Sequence, residues 1–217
     1  MGKSFIMSWS GGKDSALAYY RAVMEGHVPV ALFTMFERDG SRSRSHGLPP
    51  EVMKAQAERM GLPLVTGQAD WEGYEQEFIR QLKLFRSEGI DMGVYGDIDL
   101  EDHRSWVESV SGEADIGVYH PLWAEARRDL LLEFIEEEFK AIITVVDTSR
   151  VGESFLGRAF TVQLIEELEA LGIDACGEEG EFHTMVVDGP IFVEPVPVEF
   201  GEVRTEGNYR MLDVKLR

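Results

Sequence analysis

Ser8, Ser10, Gly11, Gly12, Lys13, Asp14 and Ser15 bring hydroxyls, a flexible backbone and one cation into a short stretch near the N-terminus. The chemistry such a set can do is anion binding. Adjacent glycines let the backbone approach a ligand closely and aim consecutive N–H groups at it. The serines add donors, and Lys13 adds a mobile point charge. The surrounding stretch, FIMSWSGGKDSALAYY (Phe5 to Tyr20), runs from an apolar segment through the glycines into an apolar-periodic one. That is the layout of a strand, a turn and a helix whose positive end adds to the site. It departs from the common phosphate loop G-x-x-x-x-G-K-[ST] in two places: Met7 stands five before Gly12, and Asp14 follows Lys13. Asp14 repels phosphate, so it either binds Mg²⁺ or caps the helix.

A second concentration of chemistry is GEEGEFHT, Gly177 to Thr184. Glu178, Glu179 and Glu181 crowd around Gly180 and could orient an ammonium ion, bind Mg²⁺ or act as a base. A solvated acidic loop is the plainer alternative. His183 titrates near neutrality and suits a base or a substrate contact, or is an ordinary strand-edge histidine. Cys176 beside them reads as a bystander. In YGDIDLEDHR, Gly96, Asp97, Asp99, Glu101 and Asp102 follow an apolar run, where open α/β sheets bind ligands. Capping of a helix by Asp97 or Asp99 is equally compatible. His46, with Arg42 and Arg44 nearby, contacts nucleotide or product, or is simply solvated.

The elements that must position these groups alternate. Strands are expected over Phe5–Trp9, Val28–Phe36, Leu64–Thr66, Met92–Tyr95 and Ile116–Trp123. Helices are expected over Lys13–Met24 and Pro50–Met60, and where Tyr74, Phe78, Leu82 and Phe85 recur at helical spacing. This rhythm predicts an α/β fold, a doubly wound parallel sheet with helices on both faces. After Trp123 it changes. An amphipathic helix through Leu130, Phe134 and Phe139 precedes a strand over Ala141–Asp147, a helix over Val162–Leu171 and a last strand from Tyr209. Asp188-Gly189 between apolar runs signals a hairpin. A boundary near Ala124 is expected, separating a doubly wound domain over 1–124 from a smaller mixed α/β domain over 125–217.

Composition limits the partners. With 40 acidic and 21 basic residues the formal net charge is −19, a field that repels polyanions. Nucleic acid is therefore not an expected partner, although Arg42, Arg44, Arg127 and Arg128 could form a local patch. One cysteine excludes an internal disulfide framework and a two-cysteine relay. No run approaches the ~20 apolar residues of a membrane span, so a cytoplasmic protein with no membrane partner is expected.

The sequence SGGKDS resembles the PP-loop of the adenine nucleotide alpha hydrolase group, whose members cleave ATP between the alpha and beta phosphates. GEEGEFHT, YGDIDLEDHR and HPLW (His120 to Trp123) resemble segments of the diphthine–ammonia ligase family, and the resemblance spans essentially the whole chain. It implies ATP and Mg²⁺ as cofactors, with Ser8, Ser10, Gly11, Gly12, Lys13, Asp14, Ser15 and Gly96 on the nucleotide and Asp14 on the metal. It further implies Glu178, Glu179, Gly180, Glu181 and Thr184 on substrate, and Lys13, Asp14, Glu181 and His183 in catalysis. The reaction implied is adenylation of a carboxylate and its amidation by free ammonia, with AMP and pyrophosphate released. Two departures concern the acceptor: Glu179 stands where the diphthamide branch usually has glycine, and His183 where it usually has an acid. EFHT is more similar to a bacterial branch linked to corrinoid salvage. The acceptor is thus the diphthine of elongation factor 2 or a corrinoid carboxylate. A non-catalytic ATP- or AMP-binding module is the rival from another class, and a homodimer is one option for the assembly.

Overall fold

The structure is a computed structural model and describes residues 2–44 and 46–217. Its first half alternates β1 (Ser4–Ser8), α1 (Lys13–Met24), β2 (Val28–Phe36), α2 (Pro50–Met60), β3 (Leu64–Gln68), α3 (Tyr74–Ser87), β4 (Met92–Val94), α4 (Glu101–Glu113) and β5 (Gly117–Tyr119). The five strands form one sheet in the order β3-β2-β1-β4-β5, and every pairing in it is parallel. The chain winds outward from β1 to β3, then returns to place β4 on the other side of β1. The crevice at that reversal, outside the carboxyl ends of β1 and β4, is where such sheets bind ligands.

Alternation along the strands sorts the core. Phe5 and Met7 point to one face, with Ala16, Leu17 and Met53 of α1 and α2. Ile6, Phe33 and Met35 point to the other, with Phe78, Leu82, Val107 and Val110 of α3 and α4. Strands buried on both faces read as continuous apolar runs, which is why β2 was legible.

The second half comprises α5 (Arg127–Glu136), β6 (Lys140–Asp147), a 3₁₀ turn at Glu153–Phe155, α6 (Val162–Ala170), β7 (Phe182–Asp188), β8 (Val198–Glu206) and β9 (Tyr209–Leu216). Its strands form an antiparallel sheet in the order β7-β6-β9-β8. This sheet docks on the α1 face: Ile143, Val146, Met185 and Val186 share one continuous core with Phe5, Leu17 and Met53. Among the described residues no helix is long and apolar enough to cross a membrane.

Two expectations are corrected. Asp188-Gly189 does not make a hairpin; β7 has β6 as its ladder partner, and the tight hairpin joins β8 to β9 at Gly207-Asn208. Pro190, Pro195 and Pro197 lie in the segment that follows, and proline removes the N–H a ladder requires. The fifth strand is only Gly117–Tyr119, because Pro121 enters a turn that carries the chain across to α5.

Candidate active site

The turn after β1 is shaped by its glycines. Gly11 takes a left-handed φ of +81°, a conformation other residues adopt only at a cost. Gly12 caps α1 through backbone alone, with no side-chain cap. Asp14 therefore does not cap the helix; it sits in the first turn, its carboxylate 2.8 Å from Lys13 Nζ. Ser10 and Ser15 join hydroxyl to hydroxyl at 3.0 Å, and Ser15 also donates to the Gly12 carbonyl.

β7 holds this turn from the other sheet. The Lys13 amide donates to Thr184 Oγ1 at 3.1 Å, the Val186 amide donates to the Gly11 carbonyl at 2.9 Å, and Lys13 Nζ donates to the Cys176 carbonyl at 2.5 Å. Gln56 of α2 completes the clamp. Fully buried, it accepts from Trp9 Nε1 and donates to the carbonyls of Gly11 and Val186. The two motifs, far apart in sequence, form one wall.

A cleft of about 660 Å³ opens in front of that wall. Of the residues expected in a site, Ser8, Ser10, Lys13, Asp14, Ser15, Gly96, Glu178, His183 and Thr184 line it. Gly11, Gly12, Glu179, Gly180 and Glu181 do not line it. Gly96 follows β4 and lies so close to α1 that an added Cβ would sit 3.0 Å from the Ser15 amide nitrogen. Glu181 is buried on the far side of its loop, where its carboxylate accepts from the Glu179 amide and faces Arg150. Glu179 is exposed and also meets Arg150.

Charge in the cleft is set by burial and by Asp14. Burial works against the Lys13 ammonium, yet Asp14 and Glu178 outweigh it, and its pKa is raised. Burial, reinforced by the nearby Asp14, pushes the Glu178 carboxyl up to about 7. Glu178 is thus the acidic-loop residue that exchanges protons near neutrality inside the cleft. Burial holds Cys176 as a neutral thiol, with a pKa of about 12, and removes it as a nucleophile. His46 reaches in from the loop after β2, its Nδ1 2.7 Å from the Thr184 carbonyl, so that nitrogen carries the proton. His46 and His183 pack ring to ring at 4.8 Å. Burial lowers their pKa values to about 4 and about 3, so both rings are neutral, and His46 lies directly against Gly12.

The acidic segment after β4 divides. Asp99 neither caps α4, whose N-cap is Leu100, nor lines the cleft; it pairs with Arg127 at 2.7 Å. Arg127 also grips Asp174, which accepts the amides of Cys176 and Glu178 and so fixes the loop carrying Glu178. Asp97 and Asp102 do face the cleft. Behind Asp97, at 3.3 Å, stands His120 of HPLW, a buried ring whose nitrogens make no hydrogen bond among the described residues. The candidate arginine patch dissolves: Arg42 meets Asp213, Arg44 donates to the Ala69 carbonyl, Arg127 is doubly paired and Arg128 meets Glu169.

Gln56, Asp174 and the aromatic lining of Trp71, Tyr74, Phe78 and Trp106 were not singled out from sequence as site residues. Gln56 had a signal: it lies on the buried stripe of α2 with Val52 and Met53, and a polar residue there must serve a buried partner. Asp174 had none.

The diphthamide synthase N-terminal domain model matches residues 2–118, and the diphthamide synthase C-terminal domain model matches residues 126–216. The chain is 30% identical to the diphthine–ammonia ligase of Mus musculus, over 89% of this chain and 82% of the relative, and equally so to that of Homo sapiens. The diphthine–ammonia ligase of Schizosaccharomyces pombe is 26% identical over 95% of this chain and 38% of its own length. Both halves of the cleft thus fall within matched regions, and the chain belongs to the diphthamide synthase family, a family of ligases.

Proposed function

We propose that the chain is an ATP-dependent ligase that adenylates the carboxylate of diphthine and passes the acyl group to ammonia. The observation that carries this reading is the convergence of the Lys13 turn and the Glu178 loop on one cleft, bridged by the Lys13 contacts to Thr184 and Cys176. A carboxylate is a poor electrophile, because its charge is delocalised and repels a nucleophile. In the first step its oxygen attacks the alpha phosphorus of ATP, and the bond to the beta phosphate breaks. The electron pair leaves with pyrophosphate, whose charge meets Lys13, the Ser10 and Ser15 hydroxyls and the N-terminus of α1. In the second step ammonia attacks the acyl carbon and AMP departs. An entering ammonium ion gives up one proton before attack and another as the amide forms. Glu178, poised near neutrality, accepts the first, and the phosphate of the departing AMP carries off the second.

Mg²⁺ fits this site in a limited way. Among the described residues no group of three His, Cys, Asp or Glu side chains can hold a metal alone. Magnesium in nucleotide sites needs only one or two carboxylates beside phosphate and water. Asp14, whose side chain is 29% exposed in the cleft, meets that need. The ion would supply charge neutralisation at the phosphates.

The test is incubation with ATP, ammonium and elongation factor 2 carrying diphthine, followed by nucleotide chromatography and mass analysis of the acceptor. AMP, pyrophosphate and an amidated acceptor are expected. ADP with orthophosphate would overturn the chemistry. Nucleotide binding with no AMP would make the protein a binding module. Consumption of a corrinoid carboxylate in place of diphthine would keep the chemistry and replace the substrate.

A further inference from the structure

The cleft has an outer wall that the ligase chemistry leaves unused. Trp71 precedes α3, Tyr74 opens it, and Trp106 projects from α4. The Tyr74 ring lies 5.8 Å from Trp71 and 5.7 Å from Trp106, making one continuous aromatic surface that faces the cleft. Trp106 Nε1 donates to Glu75 Oε2 at 2.9 Å, which fixes a carboxylate at the edge of the wall. Trp71 is 73% exposed, although the Arg44 guanidinium already lies 4.6 Å over its ring. The wall therefore accommodates a cation in this very structure.

We propose that Trp71, Tyr74 and Trp106, with Glu75, form a subsite for a quaternary ammonium group. Aromatic faces attract a cation through the ring quadrupole and offer no strong acceptor to an N–H donor. A primary ammonium would lose hydration there without replacing its hydrogen bonds. A methylated one has few to lose and presents polarised methyls to the rings. The carboxylate of Glu75 adds charge complementarity at the rim. Lys13, the one lysine or arginine among the described lining residues, is bound to Asp14, and Arg44, over Trp71, is tied to the Ala69 carbonyl, so the free charge on the lining of this wall is the Glu75 carboxylate. The inference rests on the ligase reading, because diphthine carries a trimethylammonium group beside the carboxylate to be amidated. The subsite would hold that group while the carboxylate faces ATP. It also separates the two acceptor classes, since a corrinoid carboxylate brings no such cation.

The test needs no turnover. Choline and its uncharged isostere, with carbon in place of nitrogen, are titrated against the whole chain by ligand-observed NMR. Choline should bind roughly 3- to 30-fold more tightly. Trp71→Ala, at an exposed position, should erase most of that preference and raise KM for the diphthine acceptor by a similar factor, with ATP affinity retained. Equal binding of the two probes overturns the subsite, as does a preference that survives Trp71→Ala. A loss of ATP affinity in Trp71→Ala also overturns it, by making the wall an adenine platform. Amidation without probe selectivity sinks the subsite alone, whereas selectivity without amidation upholds the subsite and sinks the ligase reading.

Discussion

Glu178 and Glu181 stand three residues apart and meet opposite surroundings. Glu178 faces the cleft beside Lys13 and Asp14, whereas Glu181 turns inward toward Arg150. Glu178→Gln should therefore cost ~10²–10⁴ in amidation rate, the usual worth of a positioned base, while Glu181→Gln stays within several-fold of the parent. Steady-state rates of the two variants decide this, and the reverse ranking would return the base to Glu181. A pH experiment on the ligand-free protein checks the same carboxyl. Its pKa rises from an ordinary 4.5 to about 7 on folding, so folding takes up a proton between those values. Its stabilising contribution is complete below the lower value and is lost as pH rises through the upper one. The neutral, buried His46 and His183 act in the opposite sense, favouring the fold as pH rises, but they are common to parent and variant. The melting temperature of Glu178→Gln minus that of the parent should thus climb across this window; a flat difference would remove Glu178 as the titrating group. The acidic loop was legible in GEEGEFHT, but which carboxylate enters the cleft was not. That depends on the Asp174 turn and the left-handed Gly177, whose φ is +70°.

At the scale of elements, β7 and α2 grip the loop between β1 and α1 without entering the cleft themselves, apart from Phe182, His183 and Thr184. Gln56 is the joint. Gln56→Leu leaves the Trp9 indole N–H with no acceptor and strips one donor from each of the Gly11 and Val186 carbonyls. Orphaned buried groups cost about 1–3 kcal/mol each, so a destabilisation on the order of 2–4 kcal/mol is expected from denaturant unfolding. ATP affinity should fall as well, although Gln56 does not line the cleft, because the Gly11 carbonyl and the strand clamping it lose their common anchor. Unchanged calorimetric affinity in a folded Gln56→Leu protein would show that the loop holds its shape alone. The strand–turn–helix unit could be read from sequence because apolar periodicity and the glycines are local signals. The clamp could not, because the Lys13–Thr184 bond joins residues 171 positions apart, and nothing local records which strand will cross the turn. The Asp188-Gly189 expectation failed for a related reason: turn chemistry specifies a bend, whereas the ladder partner is chosen by the sheet.

Across the whole molecule, the alternation of elements sufficed for the doubly wound sheet, and the face on which the second sheet docks emerged only in three dimensions. The charge adds a consequence for the two small substrates. Part of the net charge of −19 faces the cleft, since Asp14, Glu75, Asp97, Asp102 and Glu178 line it against Lys13. At ~0.01 M salt the screening length is about 30 Å, and at ~0.15 M it is about 8 Å, so this field reaches approaching ligands only in dilute buffer. It opposes ATP and concentrates ammonium. Raising sodium chloride between those limits should therefore increase kcat/KM for ATP and decrease it for ammonium, each on the order of 2- to 10-fold. The pairing of opposite signs is the informative part, because a general effect of salt on folding or turnover would move both constants together. Measured with the other substrates saturating, a parallel rise or a parallel fall would mean that the local Lys13 turn, and not the acidic field around it, governs the approach of both ligands.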